Sequence, residues 1–166
     1  MKLKVNEILR EELIDSSIEA ASCTELFKNI ADILFDKGYV VKEYGQQLQK
    51  REQAFPTGLA TKTVDVAIPH TDAAFVKEPF IYVLKPKNRI VFHQMGTFPE
   101  DQVLVHPELI FILGFSKNDM QLTLLQTLMK MFNDETMMDQ LMKADTEKEL
   151  FELLKEQIGC IGGEIK

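Results

Sequence analysis

Leu109-Ile110-Phe111-Ile112-Leu113 is an unbroken apolar run with no polar residue on either of its alternating faces. A strand written this way meets water on neither side, so it belongs inside a sheet that carries helices on both faces. After Ser116-Lys117-Asn118-Asp119 the apolar spacing changes to the helical period. Leu122, Leu125, Leu128, Met129 and Phe132 mark a long helix, with Asn118 or Asp119 available as its cap. Met137, Met138, Leu141 and Met142 mark a shorter helix, and Thr146-Glu147-Lys148-Glu149 has the form of a capping box opening a third. Gly159-Cys160-Ile161-Gly162-Gly163 reads as a helix stop, which makes residues 159–166 a flexible tail.

On the N-terminal side of the central run, Val64, Val66 and Ile68 alternate with Asp65 and Ala67, the period of a strand, and the pattern stops at Pro69-His70. Residues 80–84 and 89–92 are two further β-rich runs around Lys85-Pro86-Lys87-Asn88, a composition that predicts a hairpin or tight turn, and residues 94–107 read as loop. Earlier still, residues 15–22 are polar and punctuated. Thr24 then caps a stripe of Leu26, Phe27, Ile30, Ala31, Ile33 and Leu34 that Gly38 stops, and a second helix runs from Val41 to about Gln53, ending before Phe55-Pro56. The order predicts one α/β domain over residues 1–158, a mixed sheet of four to five strands flanked by helices on both faces.

The chain has 166 residues, 45% of them apolar, enough for one packed domain but not two. Its 26 acidic groups against 19 basic ones give a net charge of −7, the wrong balance for neutralising phosphates along a nucleic acid. Apolar runs stop far short of the ~20 residues that span a bilayer, and no signal pattern opens the chain, so a cytoplasmic protein without direct membrane insertion is expected. Cys23 and Cys160 lie far apart with no C-x-x-C spacing, which argues against a disulfide framework or zinc knuckle. The acidic excess sits at the two ends, leaving the near-neutral stretch 37–116 as the place for chemistry.

Within it, His70 directly follows Pro69 where a strand runs out, so its imidazole is mounted on stiff backbone. Arg51 and Glu52 lie at the end of a helix about twenty residues upstream, followed by Thr57-Gly58. A cation, a hydroxyl and an adaptable backbone can thus reach the same place. Those parts suit phosphoryl transfer through histidine, since neutral imidazole is a good nucleophile and donors are needed around the oxygens in flight. The same pattern also fits an ordinary strand-end histidine.

Arg51-Glu52, Pro56-Thr57-Gly58-Leu59 and Val66-Ala67-Ile68-Pro69-His70-Thr71 together resemble the R-E-x-x-x-P-T-G-L … I-P-H segment of fructose/mannitol-type enzyme IIA domains of the bacterial sugar phosphotransferase system. Val91-Phe92-His93-Gln94-Met95-Gly96, Pro107-Glu108-Leu109-Ile110-Phe111 and the Gln121-Leu122 helix extend the likeness over most of the chain, nearest to the galactitol-specific branch. The resemblance implies the enzyme IIA fold, no cofactor and no metal. It implies that His70 takes a phosphoryl group from phospho-HPr and passes it to a cysteine of enzyme IIB, for uptake of galactitol or a related polyol. By the same likeness Arg51, Thr57 and Gly58 match the phosphate-facing groups, and Gln121 stands where many members carry a second histidine. A glutamine amide can still donate to a phosphoryl oxygen but cannot titrate.

Glu52, Thr71 and His93 are candidates for supporting the site, and His106, before Pro107, reads as a surface residue. Three widely spaced histidines without companion carboxylates make a poor zinc site. Two visiting proteins must reach one imidazole, so a shallow depression with an apolar rim is expected, with Phe55, Leu59, Phe75, Met95, Phe98 and Met120 as candidates. Plugging loops onto the core is the other reading of those residues. Two other functions stay open: a regulatory module that binds proteins according to phosphorylation state, and a small hydrolase using His70 as general base.

Overall fold

The computed structural model describes residues 3–4, 8–161 and 164–165. In chain order they form β1 (Leu3–Lys4), β2 (Leu9–Asp15), α1 (Cys23–Asp36), α2 (Tyr44–Ala54), β3 (Gly58–Ala60), β4 (Asp65–Ala67), β5 (Phe80–Leu84), β6 (Phe92–His93), β7 (Leu104–Val105), β8 (Leu109–Gly114), α3 (Asn118–Phe132), α4 (Glu135–Lys143), α5 (Glu147–Ile161) and β9 (Glu164–Ile165). A five-stranded mixed sheet runs in the order β2-β5-β8-β4-β3, with the predicted apolar strand β8 at its centre. β2 is parallel to β5, β5 antiparallel to β8, β8 parallel to β4, and β4 antiparallel to β3.

Alternation along the strands divides the core in two. Ile81, Val83, Leu109, Phe111 and Leu113 face one side, where Leu124, Leu128, Met138, Leu150 and Leu154 from α3, α4 and α5 cover them. Phe80, Tyr82, Leu84, Ile110 and Ile112 face the other side and pack against Leu26, Phe27, Ile30, Tyr44 and Leu48 of α1 and α2. Every residue of β5 and β8 is therefore buried, which explains why both were legible as apolar runs. Gly45 lets α2 lie directly on α1: a Cβ there would sit 2.8 Å from that of Ala31, so a larger residue would push the two helices apart.

Several sequence expectations are corrected. Residues 80–84 and 89–92 form no hairpin; β5 pairs with β2 and β8, and Phe92-His93 pairs with Leu104-Val105 in a separate two-stranded sheet, so 94–107 is not wholly loop. The edge strands β2 and β3 were not foreseen. Ser22, not Thr24, caps α1, its hydroxyl accepting from the Glu25 amide at 3.2 Å while the Glu25 carboxylate accepts from Ala21 N–H, because an N-cap must precede the first helical amides. α2 starts at Tyr44, three residues after the expected Val41, and Asn118 and Asp119 fall inside α3 behind the N-cap Lys117. Half of the box at Thr146 forms as read, its hydroxyl accepting from Glu149 N–H, while the Glu149 carboxylate accepts from Asp145 N–H, one residue before the cap. α5 continues through Ile161, past the helix stop read at Gly159, and Glu164-Ile165 pair with Leu3-Lys4; residues 162, 163 and 166 of the expected tail lie outside the described residues.

Candidate active site

β4 ends at Ala67, yet its backbone stays beside β8 for three more residues. The Pro69 carbonyl accepts from Leu113 N–H at 2.9 Å, and His70 bridges to Leu113 in parallel fashion. Proline has no N–H to lose here but keeps its acceptor, so the strand end is anchored one residue before the imidazole. His70 is buried, 8% exposed, with its ring edge-on to Phe115 at 5.6 Å between centroids.

Nδ1 of His70 lies 2.8 Å from the carbonyl oxygen of Ile68. A carbonyl can only accept, so Nδ1 carries the proton and the lone pair is on Nε2. Burial, with a smaller push from the Arg51 cation, lowers the pKa of His70, opposed by the Ile68 bond and the Asp72 carboxylate. A neutral ring with a fixed tautomer and a free Nε2 is the nucleophilic form of imidazole.

His70 opens onto a cleft of about 440 Å³ whose wall is built by Arg51, Phe55, Pro56 and Thr57 from the end of α2, Met95, Gly96, Thr97 and Phe98 from the loop after β6, and Leu125 from α3. One helical turn separates Arg51 from Phe55, and the guanidinium lies over the Phe55 ring, 4.5 Å from its centroid. Thr57 is buried, its amide donating to the Glu52 carboxylate at 2.8 Å and its hydroxyl to the same carboxylate at 2.8 and 3.1 Å. Burial pushes Glu52 up to about 7, against the pull of those Thr57 bonds. Thr57 is tied to the histidine as well, because Ile68 N–H donates to the Thr57 carbonyl.

Gly58 is outside the cleft lining. A Cβ on it would come within 2.4 Å of Val105 and 2.6 Å of the His93 carbonyl oxygen. Its missing side chain lets the small β6–β7 sheet close against β3, where the Gly58 carbonyl accepts from Met95 N–H at 2.7 Å. It therefore positions the Met95–Phe98 wall, a role that its match to a phosphate-facing loop did not foretell.

Among the rim candidates, Phe55 (60% exposed), Met95 (39%) and Phe98 (69%) surround the cleft in the open. Met120 does not: at 3% exposed it belongs to the core under α3, because its place in the helix turns it toward the sheet. Leu59 and Phe75 are half-buried and pack onto the two cores. Gln121, half-buried in the first turn of α3, is not among the lining residues; Leu125, one turn on, is. Thr71 is buried beside His70, and His93, half-buried, pairs with Leu104 in the small sheet. His106, half-buried rather than fully surface, donates its N–H to Asp65 at the other end of β4. Leu125 and Thr97 were missed by sequence reasoning: Leu125 looked like one more core position, and Thr97 lies in a segment without periodicity.

The sequence model of the family described as "Phosphoenolpyruvate-dependent sugar phosphotransferase system, EIIA 2" matches residues 7–157. The chain belongs to this family. It is a phosphotransferase-system EIIA component. It is 32% identical over 115 residues, covering 69% of this chain and 74% of the relative, to the galactitol-specific EIIA component of the system in Escherichia coli K12. Over 65 residues, 39% of this chain and 10% of the other, it is 35% identical to the transcriptional regulator ManR of Bacillus subtilis. The fold is also that of the mannitol IIA from Escherichia coli solved in complex with phosphorylated mannitol IIB, at a TM-score of 0.70 and 21% identity, with 89% and 99% of the chains covered. Among the described residues, no helix is long and apolar enough to cross a membrane.

Proposed function

We propose that this EIIA component is a cytoplasmic phosphocarrier in which Nε2 of His70 accepts the phosphoryl group of phospho-HPr and hands it to a cysteine of a cognate enzyme IIB, for uptake of galactitol or a related polyol. The observation that carries the reading is the Nδ1–H bond to the Ile68 carbonyl, which leaves Nε2 as the basic nitrogen of a cleft-lining imidazole. In the transfer, the Nε2 lone pair forms a new N–P bond while the donor's P–N bond breaks and its electron pair returns to the donor ring. Arg51 supplies positive charge on one side of the cleft, and Thr57 a hydroxyl on another. Phe55, Met95 and Phe98 give visiting proteins an apolar rim rather than a deep pocket, as a relay between two macromolecules requires. The galactitol-specific relative supports the substrate class, and the solved mannitol IIA–IIB pair supports the acceptor.

Incubation with enzyme I, HPr and phosphoenolpyruvate, read by intact-mass spectrometry, tests this. The protein gains one acid-labile phosphoryl group and His70→Ala gains none; a label retained by His70→Ala ends the assignment. The partial likeness to ManR favours a second reading, in which the same phosphorylation regulates binding to another protein. Phosphorylation without onward transfer to the cysteine of a cognate IIB would select it.

A further inference from the structure

Thr57 lines the cleft onto which His70 opens, yet its only hydroxyl proton is already committed. The Glu52 carboxylate accepts it at 2.8 Å and accepts the Thr57 amide as well. An ionised carboxylate has nothing to donate in return, so a Thr57 hydroxyl bound to it offers the cleft lone pairs only, which repel phosphoryl oxygens.

We propose that Glu52 is a positioning residue that gates the Thr57 hydroxyl: ionised, it holds the hydroxyl proton; protonated, it donates to Thr57 Oγ1 and releases that hydroxyl to the phosphoryl group on His70. The inference rests on the reading of His70 as phosphoryl acceptor. The protonated acid keeps one oxygen for the Thr57 amide and turns its own O–H to Thr57 Oγ1, so the local frame survives the exchange. The phosphoryl gains a neutral donor at the cleft wall, and one proton enters from solvent for each phosphoryl retained. Bond changes at phosphorus are those given above, and the proton stays on Nδ1, donated to the Ile68 carbonyl, throughout.

The surroundings favour the switch. Glu52 is half-buried, and its partial burial has already carried it to about 7, where proton uptake is easy near neutral pH. On the α1 side its ionisable neighbour is the Cys23 thiol, which donates to the Val91 carbonyl; burial and the Glu52 charge push it up to about 12, so it stays neutral. On α2, Arg51 is turned onto Phe55. At the strand end, the charges acting on His70 are Arg51 and Asp72, and Thr57 lies between that end and Glu52. A dianionic phosphoryl arriving in the cleft would raise Glu52 further and draw its proton in.

The test is the equilibrium of phosphoryl transfer from phospho-HPr between pH 6 and pH 8, in the parent, Glu52→Gln and Thr57→Val. A glutamine mimics the protonated acid, accepting the Thr57 amide and donating to Oγ1, so it removes the proton step while keeping the bonds. The ratio of the parent's equilibrium constant to that of Glu52→Gln is expected to rise about five- to tenfold from pH 8 to pH 6, and against Thr57→Val to change likewise. A ratio constant across that range overturns the inference. In the parent itself, the Glu52 side-chain carboxyl carbon, followed by NMR, should titrate at least one pH unit higher after phosphorylation; an unmoved midpoint overturns it without any variant. Failure of His70 to take phosphoryl at all would instead sink the underlying reading.

Discussion

Replacing Glu52 with glutamine has a consequence for stability that can be worked out before any phosphoryl is involved. An ordinary glutamate titrates at 4.5, and burial carries Glu52 to about 7 in the folded chain. Between those values the folded protein keeps a proton that the unfolded chain has released. Unfolding free energy therefore falls as pH rises, at about 1.4 kcal/mol per pH unit across the interval. Stability present below the unfolded value is lost by the time pH passes the folded one, to the extent of about 3 kcal/mol at pH 8. His70 acts with the opposite sign: its folded pKa is depressed, so its share of stability grows as pH rises toward 6.5. That share is common to both proteins and cancels in their difference. Urea unfolding from pH 5 to pH 8 should show Glu52→Gln gaining on the parent by about 3 kcal/mol, a divergence of roughly 1–2 M in midpoint for a domain of this size. A difference constant to within about 0.5 kcal/mol would refute the claim that the half-buried carboxylate carries this cost.

Other expectations follow from the same geometry. Arg51→Ala should slow phosphorylation of His70 about ten- to hundredfold, the worth of one charge-assisted contact, with less than about 1 kcal/mol lost in stability; equal single-turnover rates would count against it. Gly58→Ala should destabilise by about 1–3 kcal/mol, and adding Val105→Ala should restore only part of this because the His93 carbonyl stays in the way; calorimetry on the three proteins decides. Phe98→Ala should weaken binding to enzyme IIB by at least fivefold while moving stability by under about 0.5 kcal/mol, and an unchanged binding isotherm would remove Phe98 from the rim. Gln121→His should leave the lifetime of the phosphoprotein unchanged, because the cleft is lined from α3 by Leu125; a lengthened lifetime would place position 121 at the phosphoryl group.

What could be read from the sequence follows from where each segment's information resides. β8 and α3 carry their burial in their own periodicity, so both were visible. β2 was not: its pattern is one buried Leu9, three exposed charges and then buried Leu13 and Ile14, and a register irregularity between Leu9 and Ile14 breaks the alternation that would have revealed it. The strand exists because β5 offers it an edge, a fact no local window contains. Residues 89–92 erred in the other direction, since β propensity was present but said nothing about which partner, β5 or β7, would be chosen. At the site, Pro69-His70 was visible as the point where the alternation of Val64, Val66 and Ile68 stops, but the pattern alone also fits an ordinary strand-end histidine and the role came from the family resemblance. The bond from Thr57 to Glu52 was not visible, because four residues and a helix terminus lie between them and only the fold brings the two groups together.

The division of labour between the two sheets has an evolutionary corollary. The imidazole proposed to take the phosphoryl group is bolted to the large sheet, whereas much of the apolar lip belongs to the loop that leaves the small one. On the proposed reading, a lineage can rewrite residues 94–103, and with them its docking companion, without disturbing the address of Nε2; the bound on such rewriting is the side-chain-free position where the small sheet leans on the large one.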